Sequence, residues 1–130
     1  MTRRNISSGT PWEDQVGYSR AVRVGDHIFV TGTLGADAQG VILSPGDPYG
    51  QTMDALDKIE QALREAGGGL EDVVRTRIYI TDIDNASDVG RAHGERLGAI
   101  KPCCTMVVVS ELFAGGLVEI EADAVLVPGT

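Results

Sequence analysis

Two segments near the C-terminal end of the chain constrain its fold more than any other feature. Cys104–Val109 and Leu117–Val127 are rich in β-branched residues and flank a Gly115-Gly116 turn. β-branched side chains fit a pleated, partly buried surface better than they fit a helix. We therefore predict a pair of core strands at this end of the chain.

Three earlier segments also have the character of strands. Tyr18–Val24 and His27–Thr31 are separated by Gly25-Asp26, and two such residues between short apolar runs predict a β-hairpin. Val73–Ile80 alternates arginine or tyrosine with threonine or isoleucine, which indicates a strand with one apolar face.

Two helices are expected between these strands. Asp47 can cap a helix that begins at Pro48, where the missing N–H of proline costs nothing. Gly67–Gly69 ends that helix, and its apolar residues recur at intervals of three or four: Met53, Leu56, Ile59 and Leu63. A second helix opens at Asp84-Asn85 and ends at Gly98. The order of elements predicts one α+β domain over residues 1–130, with a mixed sheet that carries both helices on one face. The other face then needs a partner, so we expect an oligomer.

The composition narrows the possible partners. The chain has 11 Lys and Arg against 19 Asp and Glu, a net charge of −8, which repels the phosphates of nucleic acid. No apolar run approaches the roughly 20 residues of a membrane helix. The adjacent Cys103 and Cys104 are expected to be reduced thiols of a cytoplasmic protein. With two histidines and no CxxC pair, no metal site is expected.

Several segments, in this order, resemble the RidA/YjgF family of reactive-intermediate deaminases, also described as endoribonuclease L-PSP-like. They are Val16–Val22, Ile28–Thr33, Gln51–Gly67, Val73–Asp82, Pro102–Val109 and Val118–Ala122. The resemblance implies a chorismate-mutase-like subunit in a homotrimer, with ligand clefts between subunits. It also implies chemistry without a cofactor, in which water attacks a reactive enamine or imine and releases ammonia and a keto acid.

The resemblance also implies roles for individual residues. Tyr18 matches a tyrosine of the cleft, Thr31 replaces a serine but keeps a hydroxyl, and Glu119 matches the glutamate that orients water. The deaminating members carry an arginine two residues after the proline that corresponds to Pro102, and its guanidinium binds the substrate carboxylate. Cys104 occupies that position here, which predicts a divergent member without the substrate-binding arginine.

Each candidate residue has an alternative interpretation. Glu119 is expected to be a general base or water-orienting group with a raised pKa, and the alternative is a solvated strand edge. Cys104 is either a nucleophile or thiol donor, or a small buried apolar residue. Arg20, on one strand face with Tyr18 by alternation, could bind the ligand in place of the missing arginine, and Arg77 is a second candidate. Both arginines could equally lie on the surface.

Three functions follow from these interpretations. The first is an enzyme that hydrolyses or deaminates a reactive imine, enamine or related carbonyl compound in an intersubunit cleft. The second is a trimer that binds a small metabolite without transforming it. The third is a ribonuclease, a description that some relatives carry and that the acidic charge disfavours.

Overall fold

A six-stranded mixed sheet forms the frame of the protein, and helices cover one of its faces. The computed structural model describes residues 2–127. The strands are β1 (Arg3–Ile6), β2 (Ala21–Val24), β3 (His27–Leu34), β4 (Val73–Ile80), β5 (Cys103–Val108) and β6 (Val118–Val125). The helices are α1 (Pro11–Val16), α2 (Pro48–Glu65) and α3 (Ala86–Leu97), with short 3₁₀ helices at Leu70–Asp72, Ile83–Asn85 and Phe113–Gly115. The predicted α+β class is confirmed.

Local signals determine where α2 begins and ends. The Asp47 side chain accepts a hydrogen bond from the backbone N–H of Gly50 at 2.9 Å, and Pro48 occupies the first helical position. Beyond the C-terminal end, Gly67 has φ of +97°, in the left-handed region that glycine adopts without strain. The same helix was expected from these residues in the sequence.

The core lies between the sheet and the helices α2 and α3. Strand β6 shows why, because its residues alternate between the two faces of the sheet. Its buried residues, each at most 1% exposed, pack against the helices: Val118, Ile120, Ala122 and Ala124. Its acidic residues point to the opposite face, which we call the outer face: Glu119, Glu121 and Asp123.

The strand order corrects one prediction about the C-terminal end. The order is β1-β2-β3-β6-β4-β5, so β4 lies between β5 and β6. Strand β6 is central and buried as expected, whereas β5 is an edge strand, parallel to β4 and largely exposed. The prediction of two core strands is therefore wrong for β5. A run of β-branched residues indicates a strand, but its place in the sheet depends on the crossover through α3.

The N-terminal segment contains structure that its polar sequence does not reveal. Strand β1 pairs antiparallel with β2, and the Arg4 guanidinium donates to the backbone oxygen of Glu65 at the end of α2, at 2.8 Å. Helix α1 follows, and Tyr18 lies in the loop before β2, which begins only at Ala21. Tyr18 and Arg20 therefore do not share a strand face, contrary to the expectation from alternation.

No helix within residues 2–127 combines the length and the apolar character needed to cross a membrane.

Candidate active site

The outer face carries two facing rows of polar side chains at the centre of the sheet. In the register of β4 and β6, Tyr79 lies opposite Glu119, Arg77 opposite Glu121, and Arg75 opposite Asp123. The alternation of both strands places all six side chains away from the helices.

The hydrogen bonds between these rows run diagonally rather than straight across. The Tyr79 hydroxyl donates to Glu121, and Arg77 Nη1 lies 3.3 Å from Asp123 Oδ2. Each β4 side chain thus reaches the β6 residue two positions beyond its direct partner. By the same offset, the partner of Glu119 would lie beyond Ile80, where β4 ends. Among residues 2–127, no side chain or backbone group donates to the Glu119 carboxylate, whereas its two acidic neighbours are paired.

The environment of Glu119 favours its protonated form. The side chain is half-buried, and desolvation is the main cause that raises the pKa of its carboxyl group. The negative charge of Glu121 raises this pKa further, and the positive charge of Arg20 opposes the shift without cancelling it. The resemblance implied a raised pKa for Glu119, and a carboxylate of this kind is a stronger base than an exposed one.

Arg20 is committed to the backbone of β3. The pairing of β3 with β6 shifts register between Val30 and Thr33, which leaves a bulge. Arg20 Nη2 donates to the backbone oxygens of Thr31 at 3.0 Å and Gly32 at 3.2 Å, and to the Thr33 hydroxyl. Burial lowers the pKa of Arg20. Its guanidinium holds the bulge in place and leaves a positive charge near Glu119.

A shallow cleft of about 550 Å³ lies on the outer face beside β1, β2 and β3. Tyr18, which comes from a loop, and Thr31 both line it. The other lining residues are Arg3, Asn5, Glu13, Asp14, Gly17, Ser19, Val22 and Phe29. Burial raises the pKa of Tyr18, and the nearby Glu13 carboxylate adds to the shift.

A buried carboxylate fixes the loop that carries Tyr18. Glu13 accepts hydrogen bonds from the hydroxyls of Ser7 at 3.0 Å, Thr10 at 2.9 Å and Ser8, and from the backbone N–H of Ser8. Burial raises the pKa of Glu13, but the hydrogen bonds from Ser8, Thr10 and Ser7 outweigh burial and the net pKa lies below its ordinary value. The backbone N–H of Tyr18 donates to the Glu13 carbonyl at 3.0 Å.

Cys104 lies on β5 and does not line this cleft. It is exposed and pairs in register with Thr76, on the side of the sheet that the helices cover, while Cys103 pairs with Arg75 on the outer face. Within one chain Cys104 and Glu119 therefore lie on opposite faces of the sheet. Cys104 is also not the buried apolar residue of the alternative interpretation. His93, whose pKa burial lowers, contacts the Thr76 hydroxyl through Nε2 at 2.8 Å.

The comparison with known families decides the classification. A family model described as Endoribonuclease L-PSP matches residues 12–126. The chain belongs to this family, the RidA/YjgF family. No cluster of three or more metal-ligating side chains occurs in the described part of this member.

Proteins from several organisms align with most of the chain. An uncharacterized protein of Streptomyces coelicolor is 38% identical over 122 residues, 93% of this chain and 90% of that protein. A 2-iminobutanoate/2-iminopropanoate deaminase of Capra hircus is 33% identical over 130 residues, covering 100% of this chain and 95% of the relative. The crystal structure of Rv2704 from Mycobacterium tuberculosis, a member of the YjgF/YER057c/UK114 family, superposes with a TM-score of 0.87. It is 49% identical and covers 96% of this chain and 100% of its own.

The sequence does not reveal the partners that surround Glu119. Tyr79 belongs to an alternating strand and Glu121 is a neighbour of Glu119, but nothing in either strand shows that β4 pairs with β6. That pairing joins segments about 40 residues apart and follows from the crossover topology. Arg3 and Asn5 were missed because β1 has no apolar periodicity.

Gly32 is expected to be important for the position of Glu119. A Cβ at residue 32 would lie 3.0 Å from Glu119 Oε2, closer than an ordinary contact. In Gly32→Ala the carboxylate must move, and because it is the end of a flexible side chain, the cost in stability should stay below about 1 kcal/mol. For a site in which Glu119 orients water, displacing its carboxylate predicts a kcat roughly tenfold lower. Steady-state kinetics and thermal unfolding measure both effects, and Gly90→Ala, where a Cβ meets nothing within 4 Å, is the matched control. Unchanged kcat in Gly32→Ala would contradict this prediction.

Proposed function

We propose that the protein is a cofactor-free deaminase that adds water to a reactive imine, enamine or related carbonyl compound, with Glu119 as the general base. The observation that carries the proposal is the Glu119 carboxylate itself, half-buried, with a raised pKa and no hydrogen-bond donor from the described residues. A carboxylate that is left unpaired is available to bind and orient a water molecule. The Capra hircus deaminase, which is 33% identical to this chain over all 130 residues, supports the same class of reaction.

The reaction follows from this geometry. Glu119 accepts a proton from water as the water oxygen attacks the C=N carbon, and the imine nitrogen takes up a proton from the solvent. Glu119 then returns its proton to the nitrogen of the resulting carbinolamine, the C–N bond breaks to release ammonia, and the carbinolamine hydroxyl gives its proton back to the solvent as the C=O bond forms. The sum is one imine and one water giving one carbonyl compound and one ammonia. The raised pKa of Glu119 suits both water addition and ammonia release, because its carboxyl group must first accept a proton and then donate it.

The proposed cleft lies between subunits of a homotrimer. Glu119 and Cys104 point to opposite faces of one sheet, so they can meet only if the outer face of one copy meets the β5 edge of another. Two large apolar side chains on the outer face support such a contact, Phe29 at 47% and Val107 at 43% exposure. Tyr18 and Thr31 then contact the ligand from one subunit, and Cys104 from its neighbour.

We propose a substrate other than the simple 2-imino acids named for the Capra hircus relative. Cys104 stands where the resemblance implies an arginine, and a neutral thiol supplies no bidentate bond to a carboxylate. The two alternative arginines are engaged, Arg20 with the β3 bulge and Arg77 with Asp123. We therefore assign Arg20 an indirect part in ligand binding, through the bulge and its charge. Cys104 remains the candidate thiol, in the cytoplasm where exposed thiols stay reduced.

Ammonia release tests the proposal. The protein should accelerate ammonia release from neutral imines, which an amine oxidase forms from simple amines, more than from 2-iminopropanoate, formed from alanine by an amino-acid oxidase. The control is each oxidase alone, which gives the rate of spontaneous hydrolysis. No acceleration with either class of imine would contradict a deaminase function.

Cys104 in place of the arginine that binds the substrate carboxylate also favours a second candidate function. In this second function, a trimer binds a small carbonyl metabolite without transforming it. In that case saturating ligand should raise the unfolding temperature, because it binds only the folded state, and should be recovered unchanged. A ribonuclease function has less support, because the net charge of −8 repels the phosphates of RNA.

A further inference from the structure

Tyr79 lies directly across the sheet from Glu119, yet its hydroxyl donates to Glu121. We propose that Glu121 is a positioning residue which, by accepting the Tyr79 hydroxyl, keeps Glu119 free of a hydrogen-bond donor and available to water. The inference deepens the proposed function and rests on the role given there to Glu119. It assigns Glu121 and Tyr79 a part in the site that neither the sequence nor the resemblance indicated.

The chemistry explains why this pairing matters. A phenol that donates to a carboxylate stabilises its ionised form and makes it a weaker base. If the Tyr79 hydroxyl turned to its direct neighbour, Glu119 would lose basicity and one of its acceptor sites for water. The diagonal bond to Glu121 prevents this. Because Arg77 follows the same diagonal to Asp123, no cation among residues 2–127 forms an ion pair with Glu121, which raises the pKa of Glu119.

The charged and titratable groups around Glu119 come from each neighbouring element. Its own strand supplies Glu121, and β4 supplies Tyr79. The segment before β2 supplies Tyr18 and Arg20. Strand β3 contributes backbone and no titratable side chain at Thr31–Leu34, where Gly32 lies closest. Arg20 is thus the cation and Glu121 the anion that act on Glu119, and Glu121 has the larger effect of the two on the pKa of Glu119.

Two substitutions separate the effect of the Glu121 charge from the effect of its hydrogen bond with the Tyr79 hydroxyl. Glu121→Gln removes the charge but keeps an acceptor for the hydroxyl. Glu121→Val removes both, which frees the hydroxyl to reach Glu119. The control is Asp123→Asn, which removes one negative charge from the same face two residues farther along β6, where Arg77 is the partner.

The direct readout is the titration of the Glu119 side-chain carboxyl, followed by NMR of glutamate labelled with ¹³C at that carbon and assigned with Glu119→Gln. We expect the titration midpoint to move to lower pH in Glu121→Gln, to move further in Glu121→Val, and to stay in place in Asp123→Asn. In Tyr79→Phe/Glu121→Val, which has no hydroxyl to donate, the midpoint should return to that of Glu121→Gln.

The pH profile of imine turnover should follow the titration. In Glu121→Gln the acidic limb of kcat/KM should move to lower pH, so that the rate at pH 5 rises roughly two- to threefold relative to the plateau. Equal midpoints in Glu121→Gln and Glu121→Val, or an equal shift in Asp123→Asn, would overturn the positioning role. Since the titration needs no turnover, shifts as expected in a protein that releases no ammonia would support the positioning role and count only against the proposed function.

Discussion

Replacing Glu119 with glutamine should lower imine turnover by about 100-fold or more, the usual contribution of a general base. Glutamine keeps the size and polarity of the side chain but cannot accept a proton from water. The fold should persist, because Glu119 points to the outer face and makes no hydrogen bond that the described residues would lose. Ammonia release measured at several substrate concentrations should show a fall in kcat with little change in KM.

Stability provides an independent check of the same substitution. The folded pKa of Glu119 is raised above the unfolded value, so the native state binds the proton more tightly. Folding stability therefore falls as pH rises through the interval between the two pKa values, and ionised Glu119 costs stability above that interval. Glu119→Gln should unfold at a slightly higher temperature than the parent at pH 8, with the difference largely gone at pH 4. A variant that kept more than half of the parent's turnover would exclude Glu119 as the base.

The second large effect is expected for Arg20→Ala, which should lower the free energy of unfolding by about 3 kcal/mol. The substitution removes the donor to the Thr31 and Gly32 carbonyls and to the Thr33 hydroxyl at the β3 bulge. Thr33 is only 1% exposed, so water cannot readily replace the lost bond there. A loss of this size corresponds to a fall of roughly 10 °C in the unfolding temperature of a chain this long.

Arg77→Ala is the matched comparison for Arg20→Ala. Its 3.3 Å ion pair with Asp123 is partly exposed, and such pairs contribute less than about 1 kcal/mol. Urea denaturation of both variants measures the difference. Equal losses for the two arginines would show that Arg20 does not hold the bulge, and would reopen the possibility that its guanidinium binds the ligand.

The parts of the fold that the sequence predicts are those determined by local interactions. Asp47-Pro48 and Gly67 set the ends of α2 through a cap, a fixed φ and a left-handed turn, all within a few residues. Val73–Ile80 was expected as a strand because its alternation is unbroken, and β4 has the same bounds. Strand β5 was misplaced because edge and core strands share the same β-branched composition, and only the crossover through α3 separates them.

In the candidate site too, some features could be expected from the sequence and others depend on the pairing of distant strands. The resemblance implied a raised pKa for Glu119, whereas its alternation with apolar residues fits a solvated strand edge equally well. The reason it lacks a donor could not be expected, because the diagonal offset depends on the register between β4 and β6. The expected sharing of a strand face by Tyr18 and Arg20 failed because the chain turns at Gly17, with φ of +92°, and enters β2 only at Ala21.

The hydroxyls gathered around Glu13 have a practical consequence. Ser7, Ser8 and Thr10 belong to a segment whose sequence resembles a polar tail. Their hydroxyls donate to the Glu13 carboxylate, and the Glu13 carbonyl accepts from the N–H of Tyr18, so they fix the loop that carries Tyr18. One wall of the cleft is thus built from the first residues of the chain. An affinity tag fused to this end, or a truncation that removes Ser7–Thr10, therefore alters the loop that lines the candidate site, and activities measured on such proteins describe a changed cleft.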